Sequence, residues 1–150
     1  MDPKKEIAKT PADAIILLNG SNVDLTRVTD SRIILNGPGG YEVGGAKISG
    51  TRTPKGIIYR LSVDDVVVIL GSATDANVEG FSASQVVVVN TNGESNESFV
   101  TALEPKIAVL YGDKKNEAAK ALGSENVVSV PKITIAKDKL PEKMEVVVLG

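Results

Sequence analysis

The chain has 150 residues, the size of one ordinary globular domain, and at this length a core forms without disulfides or a structural metal. It contains no histidine and no cysteine, which removes imidazole and thiolate chemistry. A net charge of −2 gives no basic footprint for nucleic acid, and only two Phe, three Tyr and no Trp leave few rings for stacking bases.

In chain order, residues 1–11 hold at most a frayed turn. Short, β-branched apolar runs bounded by Gly, Pro, Asn and Asp then predict strands at Ala14–Leu18, Arg32–Leu35, Tyr41–Val43, Ala46–Arg52, Ile57–Val63 and Val66–Leu70. Asn36-Gly37-Pro38-Gly39-Gly40 and Gly44-Gly45 are turn chemistry, and Ser62-Val63-Asp64-Asp65 joins its flanking strands tightly enough for a hairpin. The first half therefore reads as antiparallel hairpins.

The second half alternates. A strand at Gln85–Val89 precedes a helix from Ser95, its predicted N-cap, to Leu103, with Phe99, Val100 and Leu103 on one face and Pro105 as its stop. A strand at Lys106–Tyr111 leads to a second helix from Asp113 to Leu122, closed by Gly123. Further strands are expected at Asn126–Val130, Lys132–Ala136 and Met144–Leu149. Strand–helix–strand alternation implies a crossover with parallel neighbours. Val66–Leu70 and Val86–Val89 are apolar at every position, so their sheet is expected to lie between two other layers. No repeat or linker divides the chain, and a single domain over residues 1–150 is expected.

Motifs for chemistry are sparse. Asp75-Ala76-Asn77-Val78-Glu79-Gly80 opens like a calcium loop, but the position of the closing Glu is Val86, and a surface turn explains it better. Gly37-Pro38-Gly39-Gly40 lacks the helix and Lys of a phosphate loop and is expected to be a hairpin turn. Asp64-Asp65 is expected to be a turn and not an acid–base pair, because neighbours on a strand point to opposite faces. Lys4-Lys5 and Lys114-Lys115 suit solvated surface. The apolar stretch Ala14–Leu18 is too short for a signal-peptide core or a membrane span, so a cytoplasmic location without membrane insertion is the default, with non-classical export as its alternative.

One set of segments resembles a known family. Asn36-Gly37-Pro38-Gly39-Gly40-Tyr41-Glu42-Val43 followed by Ala46-Lys47-Ile48-Ser49-Gly50 is similar to the glycine hairpin of the lactonase-like branch of the metallo-β-lactamase superfamily. The similarity continues through Ile57-Ile58-Tyr59-Arg60-Leu61, Val68-Ile69-Leu70-Gly71 and Leu103-Glu104-Pro105-Lys106-Ile107-Ala108-Val109. It ends with Asp138-Lys139-Leu140-Pro141-Glu142-Lys143-Met144-Glu145-Val146-Val147-Val148-Leu149. The resemblance implies a strand-rich α/β fold: a reduced αββα sandwich of two packed mixed sheets with about two helices.

In that family an H-x-H-x-D-H signature binds one or two metals. At the matching positions this chain carries Gly20, Asn22 and Leu25 in place of histidines, and only Asp24 agrees. The metal-bridging Asp is matched by Ser72, and the late histidine, expected near Leu110–Tyr111, is missing. The resemblance thus implies a pseudoenzyme with no cofactor, whose relict cleft lies near Asn22, Asp24, Ser72 and Thr74. It also implies that the family's first strand pair, ahead of Asp2-Pro3, is absent, leaving sheet edges open for a homo-oligomer. A structural, self-assembling protein is the leading expectation. The alternatives are a binding module for a small ligand or protein in the relict cleft, and a hydrolase using an oxygen-ligand metal or no metal.

Overall fold

The computed structural model describes residues 10–11, 14–16, 28–29, 33–35, 37–54, 56–72, 81, 84–93, 97–127 and 129–150. Strands β1 (Thr10–Pro11) and β3 (Val28–Thr29) pair in parallel, as do β2 (Ala14–Ile16) and β4 (Ile33–Leu35). The remaining strands are β5 (Gly39–Val43), β6 (Ala46–Thr53), β7 (Gly56–Val63), β8 (Val66–Ser72), β9 (Val86–Asn90), β10 (Ile107–Tyr111), β11 (Ser129–Val130) and β12 (Glu145–Leu149). They form one eight-stranded mixed sheet in the order β11-β12-β10-β9-β8-β7-β6-β5. Helices α1 (Ser98–Leu103) and α2 (Lys115–Ala121) complete a strand-rich α/β architecture, as expected. Among the described residues no helix is long and apolar enough to cross a membrane.

Strands β5 to β8 are antiparallel, and their turns follow from residue chemistry. Gly44 and Gly45 both have positive φ, 56° and 80°, as a two-residue turn matched to the strand twist requires. Asp64 and Asp65 make the same kind of turn at φ 49° and 61°, confirming the hairpin. The Gly37-Pro38-Gly39-Gly40 run behaves otherwise. Expected as a hairpin turn, it instead joins β4 to β5, whose partners lie in different sheets. Two tyrosines fix this crossing: the Tyr59 hydroxyl donates to the Gly37 carbonyl at 3.3 Å and the Tyr41 hydroxyl to the Pro38 carbonyl at 3.4 Å. Gly50 sits directly opposite Tyr59, and a Cβ there would lie 2.9 Å from the ring, so the glycine makes room for the aromatic. The early parallel pairs β1–β3 and β2–β4 also depart from the expectation of hairpins alone.

From β8 to β10 and on to β12 the neighbours are parallel. One side of the sheet carries Ile58, Ile69, Val87, Val89, Ala108, Leu110 and Val148, which pack with Phe81 and with Phe99, Val100, Leu103, Ala118 and Ala119 of the helices. The other side carries Val66, Val86, Ile107 and Val109 under Ile133, Ile135 and Leu140, and farther along Ile48 and Tyr59 meet Leu35. Strand β9 is thus covered on both faces, as its unbroken valine run requires. Gly71 gives Phe99 its place, because a Cβ at 71 would come within 2.9 Å of the ring tip.

Several boundaries differ from expectation. Helix α1 starts from Glu97, which makes no side-chain cap; the expected N-cap Ser95 lies outside the described residues. Helix α2 starts after Lys114 rather than Asp113, whose N–H is engaged by the Asn92 side chain. Its end is as expected: Gly123 at φ 89° closes a Schellman turn, with Gly123 N–H donating to Lys120 and Ser124 N–H to Ala119. Lys132–Ala136 forms no ladder. Its alternation places Ile133 and Ile135 on the sheet face as a strap, so the period of two reported burial and not pairing. Among the described residues strand β11 covers Ser129 and Val130, at the sheet margin beside β12.

Phe99 is fully buried between sheet and helices. Phe99→Ala is expected to cost about 3–5 kcal/mol of stability, read as a lowered urea midpoint at unchanged m-value.

Candidate functional site

Parallel strands bring their carboxyl ends to one side, and here the pairing register aligns three polar residues. Ser72 of β8 is opposite Asn90 of β9, and Asn90 is opposite Tyr111 of β10. Residues in register share a face of the sheet. These three continue the rows of Val68, Val88 and Val109, so they lie on the side turned away from the helices. Each of the three strands is apolar until its last residue, so polarity begins where the apolar layer stops.

Ser72, Asn90 and Thr91 are buried, and the described polar groups around them are closely engaged. The Asn90 Oδ1 accepts from the Asn92 N–H at 2.9 Å, and the Asn90 side chain is hydrogen-bonded to the Tyr111 hydroxyl. Both the N–H and the Oγ1 of Thr91 donate to the Tyr111 carbonyl, each at 2.8 Å. The Asn92 Oδ1 in turn accepts from the Asp113 N–H at 2.7 Å. Gly112, at φ 109°, lets the chain turn under this network: a Cβ there would stand 2.6 Å from the Asn92 Oδ1 and 3.1 Å from two backbone nitrogens.

The chemistry of this cluster is that of neutral hydrogen bonding. Burial raises the Tyr111 phenol above its ordinary value of 10, and the hydrogen bond from Asn90 only partly offsets that. The phenol therefore stays protonated at neutral pH and does not serve as a base there. Tyr59 is raised as well, first by burial and then by the neighbouring Tyr41, against the opposing bond to Gly37.

Of the positions that the family resemblance singles out, Ser72 lies at the carboxyl end of β8, and Leu110 and Tyr111, near which the late histidine is expected, lie at the carboxyl end of β10. Gly20, Asn22, Asp24, Leu25 and Thr74 lie outside the described residues, as does the calcium-like stretch from Asp75 to Gly80. Around Ser72 the register adds Asn90 and Tyr111, and the following loop adds Thr91 and Asn92. Of these four, the resemblance points only to Tyr111, near which the late histidine is expected. The available signal was the abrupt change from Val86-Val87-Val88-Val89 to Asn90-Thr91-Asn92-Gly93.

Hydroxyl, amide and phenol groups do not fit a zinc centre, which takes imidazole, thiolate and carboxylate. Among the described residues no three Asp or Glu side chains converge on one point. A groove of about 340 Å³, lined by residues including Pro105, Lys106 and Met144, lies at the amino end of β10, away from the polar row.

Gly112→Ala is expected to cost about 1–3 kcal/mol through its left-handed φ and the contact with Asn92. A denaturant midpoint equal to the parent's would refute the tight turn. The tyrosines set an alkaline limit. Their folded pKa exceeds the unfolded value, so their contribution is full below pH 10 and is lost as pH rises through the folded pKa. Tyr111→Phe should flatten the stability loss above pH 10, measured by urea unfolding at stepped pH.

No protein-family description matches the chain, and no curated protein matches it. Among solved structures it is similar to a crystal structure from Thermotoga maritima described as a Zn-dependent hydrolase of the metallo-β-lactamase superfamily. The two share 22% identity over 95% of this chain and 84% of that one, with a TM-score of 0.69. The chain has the metallo-β-lactamase fold.

Proposed function

We propose that this protein is a non-catalytic structural component that assembles from copies of itself on a metallo-β-lactamase fold whose metal centre has been lost. The observation that carries this reading is the absence of any histidine or cysteine from the whole sequence. Zinc hydrolysis on this fold needs a metal held firmly enough to acidify its water, and imidazole ligands supply that grip. Ser72, where the family resemblance expects a bridging carboxylate, offers a neutral hydroxyl beside the amide of Asn90. A hydroxyl and an amide hold zinc weakly and leave its charge uncompensated.

With chemistry removed, the remaining surfaces are those of the sheet. An eight-stranded sheet that is not closed into a barrel has two margins, and margins invite pairing with another chain. Self-association through them is the reading we favour, without nucleic acid and without insertion in a membrane.

A second reading, a small-ligand module, is favoured by the buried polar row Ser72, Asn90 and Tyr111. A bound ligand at a hundred times its Kd would raise the melting temperature by about 5–10 °C.

Elemental analysis after incubation with zinc and dialysis should find metal well below one atom per chain. Hydrolysis of lactone and phosphodiester substrates should be no faster than buffer, with or without EDTA. Stoichiometric zinc, or turnover abolished by chelator and restored by zinc, would reject the non-catalytic reading. Mass photometry should find species larger than one chain.

A further inference from the structure

The two margins of the eight-stranded sheet are not equivalent. At one end β11 offers only Ser129 and Val130 before Pro131, which has no N–H to give, and such an end is blunted against further pairing. At the other end β5 presents five residues, Gly39-Gly40-Tyr41-Glu42-Val43, with β6 on one side and no described strand on the other.

Hairpin parity decides which backbone groups β5 has to offer. The two-residue turn at Gly44-Gly45 closes on the pair Val43 and Ala46, which exchange both of their hydrogen bonds. Bonded and non-bonded pairs then alternate, so Tyr41 and Gly39 also bond to β6. The N–H and C=O groups of Gly40 and Glu42 therefore point away from β6, toward the side on which no described strand lies.

We infer that β5 pairs antiparallel with β5 of a second copy, about a two-fold axis at Tyr41. This deepens the self-assembly reading given above and rests on it. Of the two-fold registers centred on Gly40, Tyr41 or Glu42, two are poor. Centring on Glu42 sets two carboxylates directly opposite each other, and like charges facing across strands destabilise. Centring on Gly40 brings Glu42 opposite Pro38, which lacks an N–H and lies before β5 begins.

Centring on Tyr41 places Gly40 of each copy opposite Glu42 of the other. The outward groups of both residues are then satisfied, and each carboxylate faces a glycine. The two Tyr41 rings become a non-bonded cross-strand pair, the closer of the two spacings. They lie on the face where Tyr41 already packs near Ile48 and Tyr59 and is tethered to Pro38. A two-fold contact closes on itself, and with β11 blunted the product is a dimer and not a filament.

Sedimentation velocity across a micromolar concentration series tests the register. The parent chain should show a reversible monomer–dimer equilibrium. Glu42→Pro removes an outward N–H that β6 does not use, so it should abolish the dimer. Gly40 has open space where a Cβ would stand, so substitution there is sterically allowed. Gly40→Glu would set carboxylates opposite Glu42 twice per dimer and should raise the Kd about two- to thirty-fold. Gly40→Lys should lower it by a similar factor.

Circular dichroism of each variant confirms folding, and should Glu42→Pro misfold, the two Gly40 variants decide the register alone. A monomeric parent at every concentration overturns the proposal, as does a dimer indifferent to both Gly40 variants. A persistent oligomer indifferent to them would leave self-assembly standing and place it elsewhere. Zinc-dependent turnover would reject the non-catalytic reading without touching the dimer result.

Discussion

Strand β9 has no face to spare. Val87 and Val89 lie among the helix side chains, while Val86 and Val88 lie on the opposite side with Val66, Ile107 and Val109. A strand in that position needs a neighbour on each edge and a layer on each side, and burying its side chains stabilises each of those contacts by about 1.5–3 kcal/mol per residue. The helices α1 and α2 occupy one side, and the strap through Ile133 and Ile135 occupies the other. The same constraint brings the carboxyl ends of β8, β9 and β10 together, because parallel neighbours in register must end side by side. The polar row of Ser72, Asn90 and Tyr111 is a consequence of how the valines are buried.

A second constraint is the scarcity of rings. With two Phe and three Tyr in the chain, each described aromatic has a defined structural task. Phe99 seals the helix layer against Gly71, Phe81 borders the same core, and Tyr59 covers Gly50 and reaches the Gly37 carbonyl. Tyr41 ties down Pro38, and the Tyr111 hydroxyl is hydrogen-bonded to the Asn90 side chain at the end of β9. Two of these rings are matched to glycines that leave them room, so the glycines and aromatics form packing pairs across the sheet. Val, Ile, Leu and Ala supply the remaining volume.

At the carboxyl ends of β8, β9 and β10 the described part of this chain forms a hydrogen-bonded plug. Donors and acceptors of Asn90, Thr91, Asn92 and Asp113 engage one another over short distances. Such a network holds the loop after β9 in one conformation. The groups that engage in it are neutral hydroxyls, amides and peptide groups.

Much of the fold was legible in the residues. Gly44-Gly45 and Asp64-Asp65 announced their turns, Pro105 and Gly123 their helix ends, and the valine runs their double burial, because these signals are local or depend only on which side chains avoid water. The missing imidazoles and thiolates were equally plain, since composition alone decides them. The tertiary structure decided the rest. Gly37-Pro38 has the chemistry of a turn, but whether it folds a hairpin or crosses between sheets depends on which strands pair. Ile133 and Ile135 alternate like a strand and became a strap, because a period of two records burial and says nothing about hydrogen-bond partners. Asn90 and Tyr111 join Ser72 only through register, and register is a relation between segments distant in sequence that no single segment encodes.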